Sequence, residues 1–436
     1  MRLIYILFIF FSLQAISQEL NIINVDSITY IQFANHQYDS LKKTGKEALA
    51  QNIDFYYLRM RLGIVYYEDK NYEKALLHFT KANNMNLADT INQEYLYYSY
   101  LFSGRTEEAN LFAQKLSIYL QNKIEYKQKT IDMLAIGGGY LTTNNIDANK
   151  NSDIKNQENI YGEALYNGDK YYANILMQQT FLNRLKIYYG ISLFNTIYTG
   201  VVQSTDTMQI KEHNNNHYQY NLAFSYQFKK GWNISGGFAY FKQQIFNFSG
   251  RYDSINDEYG FVATNKPLES YSGTISLSKR MRYVQSILSG STSNFANRTQ
   301  YQGELSLVYY PFGNINFYGI SSTCLLNDNQ KNNWIFTQKI GGKLFNWLWY
   351  EIKGSYGNHN NYTTQSGFLA YNTSNPVKLT VGADLKIYWK NLEITPGYRF
   401  IQSENTYLYY TSYTTYKTKK YIYNNHLINT TLTWNF

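Results

Sequence analysis

Residues 425–436 read Asn-His-Leu-Ile-Asn-Thr-Thr-Leu-Thr-Trp-Asn-Phe, and this stretch decides how the rest of the chain is understood. From Ile428 onward it alternates: Ile428, Thr430, Leu432, Trp434 and Phe436 share one face, and Asn429, Thr431, Thr433 and Asn435 the other. A strand repeats every two residues, so one face meets something apolar and the other water or a polar interior. In a soluble sandwich the polar face would lie outside. In a membrane barrel it lies inside, and the aromatic end sits at the interfacial girdle.

Working back, the same alternation recurs. Tyr218, Tyr220, Leu222, Phe224, Tyr226 and Phe228 oppose Gln219, Asn221, Ala223, Ser225 and Gln227; Tyr271, Gly273, Ile275 and Leu277 oppose Ser272, Thr274, Ser276 and Ser278. Leu379 to Trp389 repeats the pattern. Runs of roughly ten residues cross a bilayer when tilted. Short turns are expected at 183–184, 229–231, 279–280, 311–314, 345–346 and 390–391. Longer polar stretches, read as external loops, lie at 143–168, 202–215, 249–267, 327–332, 359–376 and 405–422. Short turns on one side and long loops on the other are the barrel arrangement. The expected fold is mainly β: a transmembrane antiparallel barrel of about fourteen strands, within twelve to sixteen, behind an N-terminal helical domain. A further hairpin around Gly367 to Tyr371 would raise the number to sixteen. Pro396 falls inside a strand, where the missing donor predicts a bulge or kink beside Gly397.

Composition agrees. The 436 residues include 47 Tyr and 25 Phe, aromatics are 18% and charged residues only 16%, and mean hydropathy is negative. Asn, Ser, Thr and Gln stand where charge would be, which suits aromatic outer and hydroxyl-rich inner faces. A large secreted solenoid or sandwich is the alternative. The net charge of +9 is scattered along the chain and gives no nucleic-acid footprint. One cysteine, Cys324, excludes an intramolecular disulfide and a cysteine metal cluster. Residues 1–17 read as a signal peptide: Arg2, an apolar run from Leu3 to Leu13, and Ala15-Ile16-Ser17 before Gln18. No later apolar stretch approaches the length of a membrane helix.

Residues 18–126 have a helical period. Leu62-Gly63-x-x-Tyr66, Ala75, Phe79 and Ala82 resemble a tetratricopeptide repeat, and 34 residues on come Tyr97, Tyr100, Ala109, Ala113 and Leu116 as a degenerate second copy. The resemblance implies paired antiparallel helices and a partner groove near Tyr57, Met60, Ile64, Tyr67 and Tyr98. Two repeats packed only as a plug or pedestal are the plainer reading.

From 130 to 436 the barrel's inner positions carry charge of both signs: Glu304, Lys339, Lys343, Glu351, Lys353, Asp384, Lys386, Glu393 and Arg399. Such a wall either sets the selectivity of a wet lumen or fills it with ion pairs. No catalytic constellation accompanies it. His426 has no serine motif beside it, and an interfacial, solvated role is expected. Asp253, Asn256, Asp257 and Glu258 could offer oxygens to calcium, although such loops mostly turn the chain. No cofactor or metal is expected.

The terminal strand ending in Trp434 and Phe436 resembles the one that Gram-negative bacteria use to assemble outer-membrane barrels. Together with periplasmic repeats the layout is similar to exopolysaccharide-export porins. The resemblance implies an outer-membrane pore or export channel, embedded in outer-membrane lipid, with a periplasmic protein partner and a polysaccharide or small polar solute as cargo. A non-conducting scaffold is the second reading and a lipid-modifying barrel enzyme the third.

Overall fold

The computed structural model describes residues 21–149, 161–181, 183–204, 208–253, 258–295, 298–328, 331–359, 362–364, 369–371, 375–412 and 415–436. The signal-peptide segment and most of the Asp253–Glu258 loop lie outside the described residues. The chain divides into two compact units, Met1–Glu125 and Tyr126–Phe436.

The first unit is helical: α1 (Ile22–Ala34), α2 (Tyr38–Ala50), α3 (Tyr56–Glu68), α4 (Tyr72–Met85), α5 (Thr90–Phe102), α6 (Thr106–Ala113) and α7 (Ile118–Lys123). Helix α1 gives way to α2 where His36 takes a left-handed φ of 55°. Side-chain caps start several helices; Asp89, for instance, accepts from the Ile91 amide at 2.8 Å. Helix α3 serves two cores, with Leu58, Leu62 and Val65 packed toward Val25 and Leu41, and Met60 toward Leu76, Phe79 and Leu96. Gly63 is where α4 comes closest: a Cβ there would meet the Phe79 ring at 2.5 Å.

The second unit is a barrel. Its strands are β1 (Ile131–Thr143), β2 (Tyr161–Phe181), β3 (Leu185–Ser204), β4 (Met208–Gln227), β5 (Trp232–Asp253), β6 (Glu258–Arg280), β7 (Val284–Phe295), β8 (Arg298–Tyr309), β9 (Phe317–Asp328), β10 (Lys331–Phe345), β11 (Leu348–Gly357), β12 (Tyr362–Thr364), β13 (Leu369–Tyr371), β14 (Val377–Trp389), β15 (Leu392–Tyr410) and β16 (Tyr416–Asn435). Fourteen of them close into one antiparallel barrel, each beside its neighbour in sequence, and β1 meets β16 to seal it. The extra hairpin exists as β12 and β13, but it forms its own two-stranded sheet and adds nothing to the wall.

Alternation places the faces. On β16, Ile428 is 64% exposed while Thr433 is 9%. Ile175, Leu222, Ile275, Leu288 and Ile352 are likewise exposed around the outside, an apolar belt of a size that only a membrane covers. Exposed Trp232, Phe312, Trp347, Trp389 and Trp434 ring the short-turn end as an interfacial girdle. The barrel is built as an outer-membrane protein.

Two expectations change. The stretches 202–215, 249–267 and 405–422 are mostly not loops, since the ladders continue to Gln203–Met208, Asp253–Glu258 and Tyr410–Tyr416. Strands β2 to β6 reach 20–23 residues, whereas β7 to β9 have 12 each. Beyond the bilayer both faces are polar, so the alternation that marks a strand fades from the sequence. Pro396 makes no bulge. Register to β16 runs unbroken through it, and on the β14 side pairing resumes in step at Ile387–Ile394. The missing donor costs ladder contacts rather than a residue of register.

Candidate functional site in the barrel lumen

The lumen has two unlike walls. On β6 to β9 the inward side chains are mainly hydroxyls, with Ser272, Ser276, Ser293 and Ser306 buried. From β10 to β15 they are charged. Register sets like charges side by side, Lys339 opposite Lys353 and Glu351 opposite Asp384. Diagonal pairs relieve this. Glu351 takes Lys339 and Lys386, each at 3.0 Å, and accepts from the Tyr318 hydroxyl at 2.6 Å. Arg399 reaches Asp384 at 2.6 Å. Two glycines make room for that pair, because a Cβ on Gly397 would strike the Asp384 carboxylate and one on Gly382 would strike Arg399.

Of the other expected wall residues, Glu304 accepts from Ser306 at 2.9 Å and lies near the Tyr362 hydroxyl at 3.4 Å. Glu393 accepts from Thr395 at 3.0 Å. Lys343 is exposed near the turn that ends β10. The structure therefore joins Lys339, Glu351 and Lys386 in one cluster and Asp384 with Arg399 in another, and leaves Lys343 and Glu393 apart from both.

What the sequence did not show is what enters the lumen. Within the stretch 359–376, expected as an external loop, the described residues His359, Tyr362 and Thr363 lie against the inner wall. His359 is 1% exposed; its backbone amide and ring Nδ1 donate to the Val377 carbonyl, each at 2.9 Å, and Nε2 accepts from Ser355 at 2.6 Å. Gln302, on the inner face of β8, donates to the Thr363 carbonyl at 2.6 Å and accepts from the Thr363 amide and hydroxyl, each at 3.2 Å. One side-chain amide thus acts as a strand neighbour for β12. Tyr362 is buried with Cys324, Leu326 and Ile335, which accounts for the cysteine. Asn375 donates to Tyr423 at 3.0 Å.

A second element crosses the mouth. Beyond the Val377–Ser403 pair, β14 leaves one edge of β15 free, and Tyr161–Glu163 of β2 pairs with Tyr410–Leu408 there. Asn405, on the inner face of β15, donates to the Leu165 carbonyl at 3.0 Å, so β2 passes on the inner side. Ala164, Tyr166, Val201 and Tyr407 form a buried cluster beneath the crossing. Below the crossing, inward aromatic rings run from strand to strand, with Phe194 5.2 Å from His217 and His217 5.7 Å from Phe241.

Between the hydroxyl wall, the charged wall and the inward hairpin lies a cavity of about 210 Å³. It is lined by Ser289, Ser291, Gln302, Glu304, Lys339, Lys353 and Thr363 among others. His426, on the outer face, contacts the Tyr398 hydroxyl at 2.7 Å and no serine. Among the described residues no cluster of metal-ligating side chains occurs.

The groove expected in the helical unit is only partly open. Tyr57 is exposed, whereas Met60 is buried in the second core among α4 residues and Leu96 of α5. Ile64 packs on the same core. Tyr67 and Tyr98 are half-buried and meet Phe102 at 6.3 and 5.7 Å.

No family model matches the chain, and no curated protein does. Solved structures similar to it include the toluene transporter TodX of Pseudomonas putida, with 8% identity over 72% of this chain and 92% of that one and a TM-score of 0.45. A FadL homologue of Pseudomonas aeruginosa has 8% identity over 78% and 94%, TM-score 0.43. A bacterial polysaccharide outer membrane secretin has 9% identity over 71% and 100%, TM-score 0.35. Likeness at this level says nothing of cargo.

Proposed function

We propose that this protein is an outer-membrane channel for small polar solutes, carrying a tetratricopeptide-type docking module in the periplasm. The reading rests on one observation above all. A closed barrel with an apolar exterior holds a hydrated-type interior of hydroxyls and ions around a cavity of about 210 Å³. The charged cluster would set selectivity and the β12–β13 hairpin would set the bore. A polysaccharide would need that hairpin to leave, so a small solute suits the lumen better.

Because β1 begins at the short-turn end, the helical unit belongs on the periplasmic side. There Tyr57, Tyr67 and Tyr98 would meet a periplasmic protein partner. The strand crossing the mouth favours a second reading, a non-conducting scaffold whose repeats hold that partner. Single-channel recording in planar bilayers separates the two. A channel gives steady conductance that rises when the 360–374 segment is replaced by a short glycine-serine link. A scaffold is silent in both forms, with folding and insertion verified by protease protection.

A further inference from the structure

Resting on the channel reading, the lumen's charge pairing identifies a solute class. Lys339 and Lys386 share Glu351, and Arg399 takes Asp384. Glu304 and Lys353 both line the 210 Å³ cavity, and among the described residues neither has an ion pair. Neither has an opposite charge across from it in register, and Asp384 and Glu304 act on Lys353 only from beyond ion-pair distance. Lys353 lies between Lys339 and Gly382 in register, and Glu304 between Ser289 and Cys324. A charge left unpaired in a narrow lumen must be met by water or by a ligand.

Other linings narrow the choice. Ile287, Val308 and Ile320 give the cavity an apolar side, while Ser291, Ser322 and Thr337 supply hydroxyls. No aromatic ring stands among the described lining residues, so a sugar ring would find no stacking platform. We infer that the cavity takes a small zwitterion of the α-amino-acid class. The solute's ammonium goes to Glu304, its carboxylate goes to Lys353, and its apolar side chain rests on Ile287, Val308 and Ile320. Glu304 has acceptor capacity to spare, since two carboxylate oxygens offer about four lone-pair sites and, among the described residues, the Ser306 and Tyr362 hydroxyls are the donors seated there.

Calorimetric titration of the detergent-solubilised full chain tests this with four probes: L-valine, 3-methylbutanoate, isobutylamine and glucose. L-Valine should bind at least about tenfold tighter than either singly charged analogue, the worth of one charge-assisted hydrogen-bonded contact. Glu304→Gln should abolish the advantage over 3-methylbutanoate, and Lys353→Met the advantage over isobutylamine. Heat-modifiable gel mobility would confirm that each variant is a folded barrel. Valine binding no tighter than the one-charge analogues or glucose, in folded wild-type protein, overturns the assignment. The two readings fail separately. Bilayer silence with intact valine selectivity would refute the channel and keep the site; steady conductance without valine selectivity would do the reverse.

Discussion

The two units bury charge in opposite ways. In the helical unit Arg105 grips Glu73 through two contacts, at 2.9 and 3.1 Å, and the Glu73 side chain is 1% exposed. In the barrel, Glu351 holds two lysines that remain about a quarter exposed to the lumen. The first arrangement is sealed between helices and bears on stability. The second borders a cavity through Lys339, and in the proposed channel it would bear on what passes. A helical core shuts water out, whereas a barrel turns its polar faces inward and keeps them wet.

The sharpest test of that contrast is Arg105→Ala. It takes the guanidinium away from a buried carboxylate and should cost the helical unit about 3–5 kcal/mol, read as loss of helical circular dichroism at lower denaturant while the barrel signal holds. Gly63→Ala probes the same core by volume. The added methyl meets the Phe79 ring, and overpacking of this kind costs about 1–3 kcal/mol. Glu351→Gln should behave otherwise. Lys339 and Lys386 would lose their shared partner, yet barrel stability should move by less than about 1 kcal/mol because the lumen is solvated. A loss comparable with that of Arg105→Ala would break the comparison.

The smallest effect comes from Asp54, whose carboxyl the Arg59 guanidinium holds below its ordinary range by hydrogen bonding at 2.7 Å. A depressed carboxylate contributes stability above the unfolded value of about 3.9, lost as pH falls through the folded value. At a site this exposed to solvent, Asp54→Asn should cost about 0.5 kcal/mol at neutral pH and nothing in acid below both values. Denaturant midpoints at the two pH values check it.

Much of this was legible in the sequence, and the failures have physical causes. Alternation at Tyr218–Phe228 and Ile428–Phe436 survives because lipid and lumen demand opposite side chains, so strand number and direction could be read. The inward position of Tyr362 and Thr363 could not be. It depends on Gln302 meeting Thr363, a contact across 61 residues, and neither residue type announces it. The β2–β15 pairing is equally remote. The burial of Met60 was not legible either, because repeat spacing identifies helix pairs and not how closely Phe79 and Leu96 pack on it. The charged wall could be assigned to the inner face by parity, but its division into a Glu351 cluster, an Asp384–Arg399 pair and four residues outside both needs side-chain geometry.

The central claim is that the charged wall faces water through which ions move, and reversal potential in a potassium chloride gradient tests it most directly. Wild-type channels should show a measurable potential, and Glu351→Gln should shift it toward chloride by about twofold or more in permeability ratio, as removal of a fixed lumenal anion requires. Conducting channels whose potential is unchanged by Glu351→Gln would contradict the account, because ions would then be travelling by a path that this wall does not line.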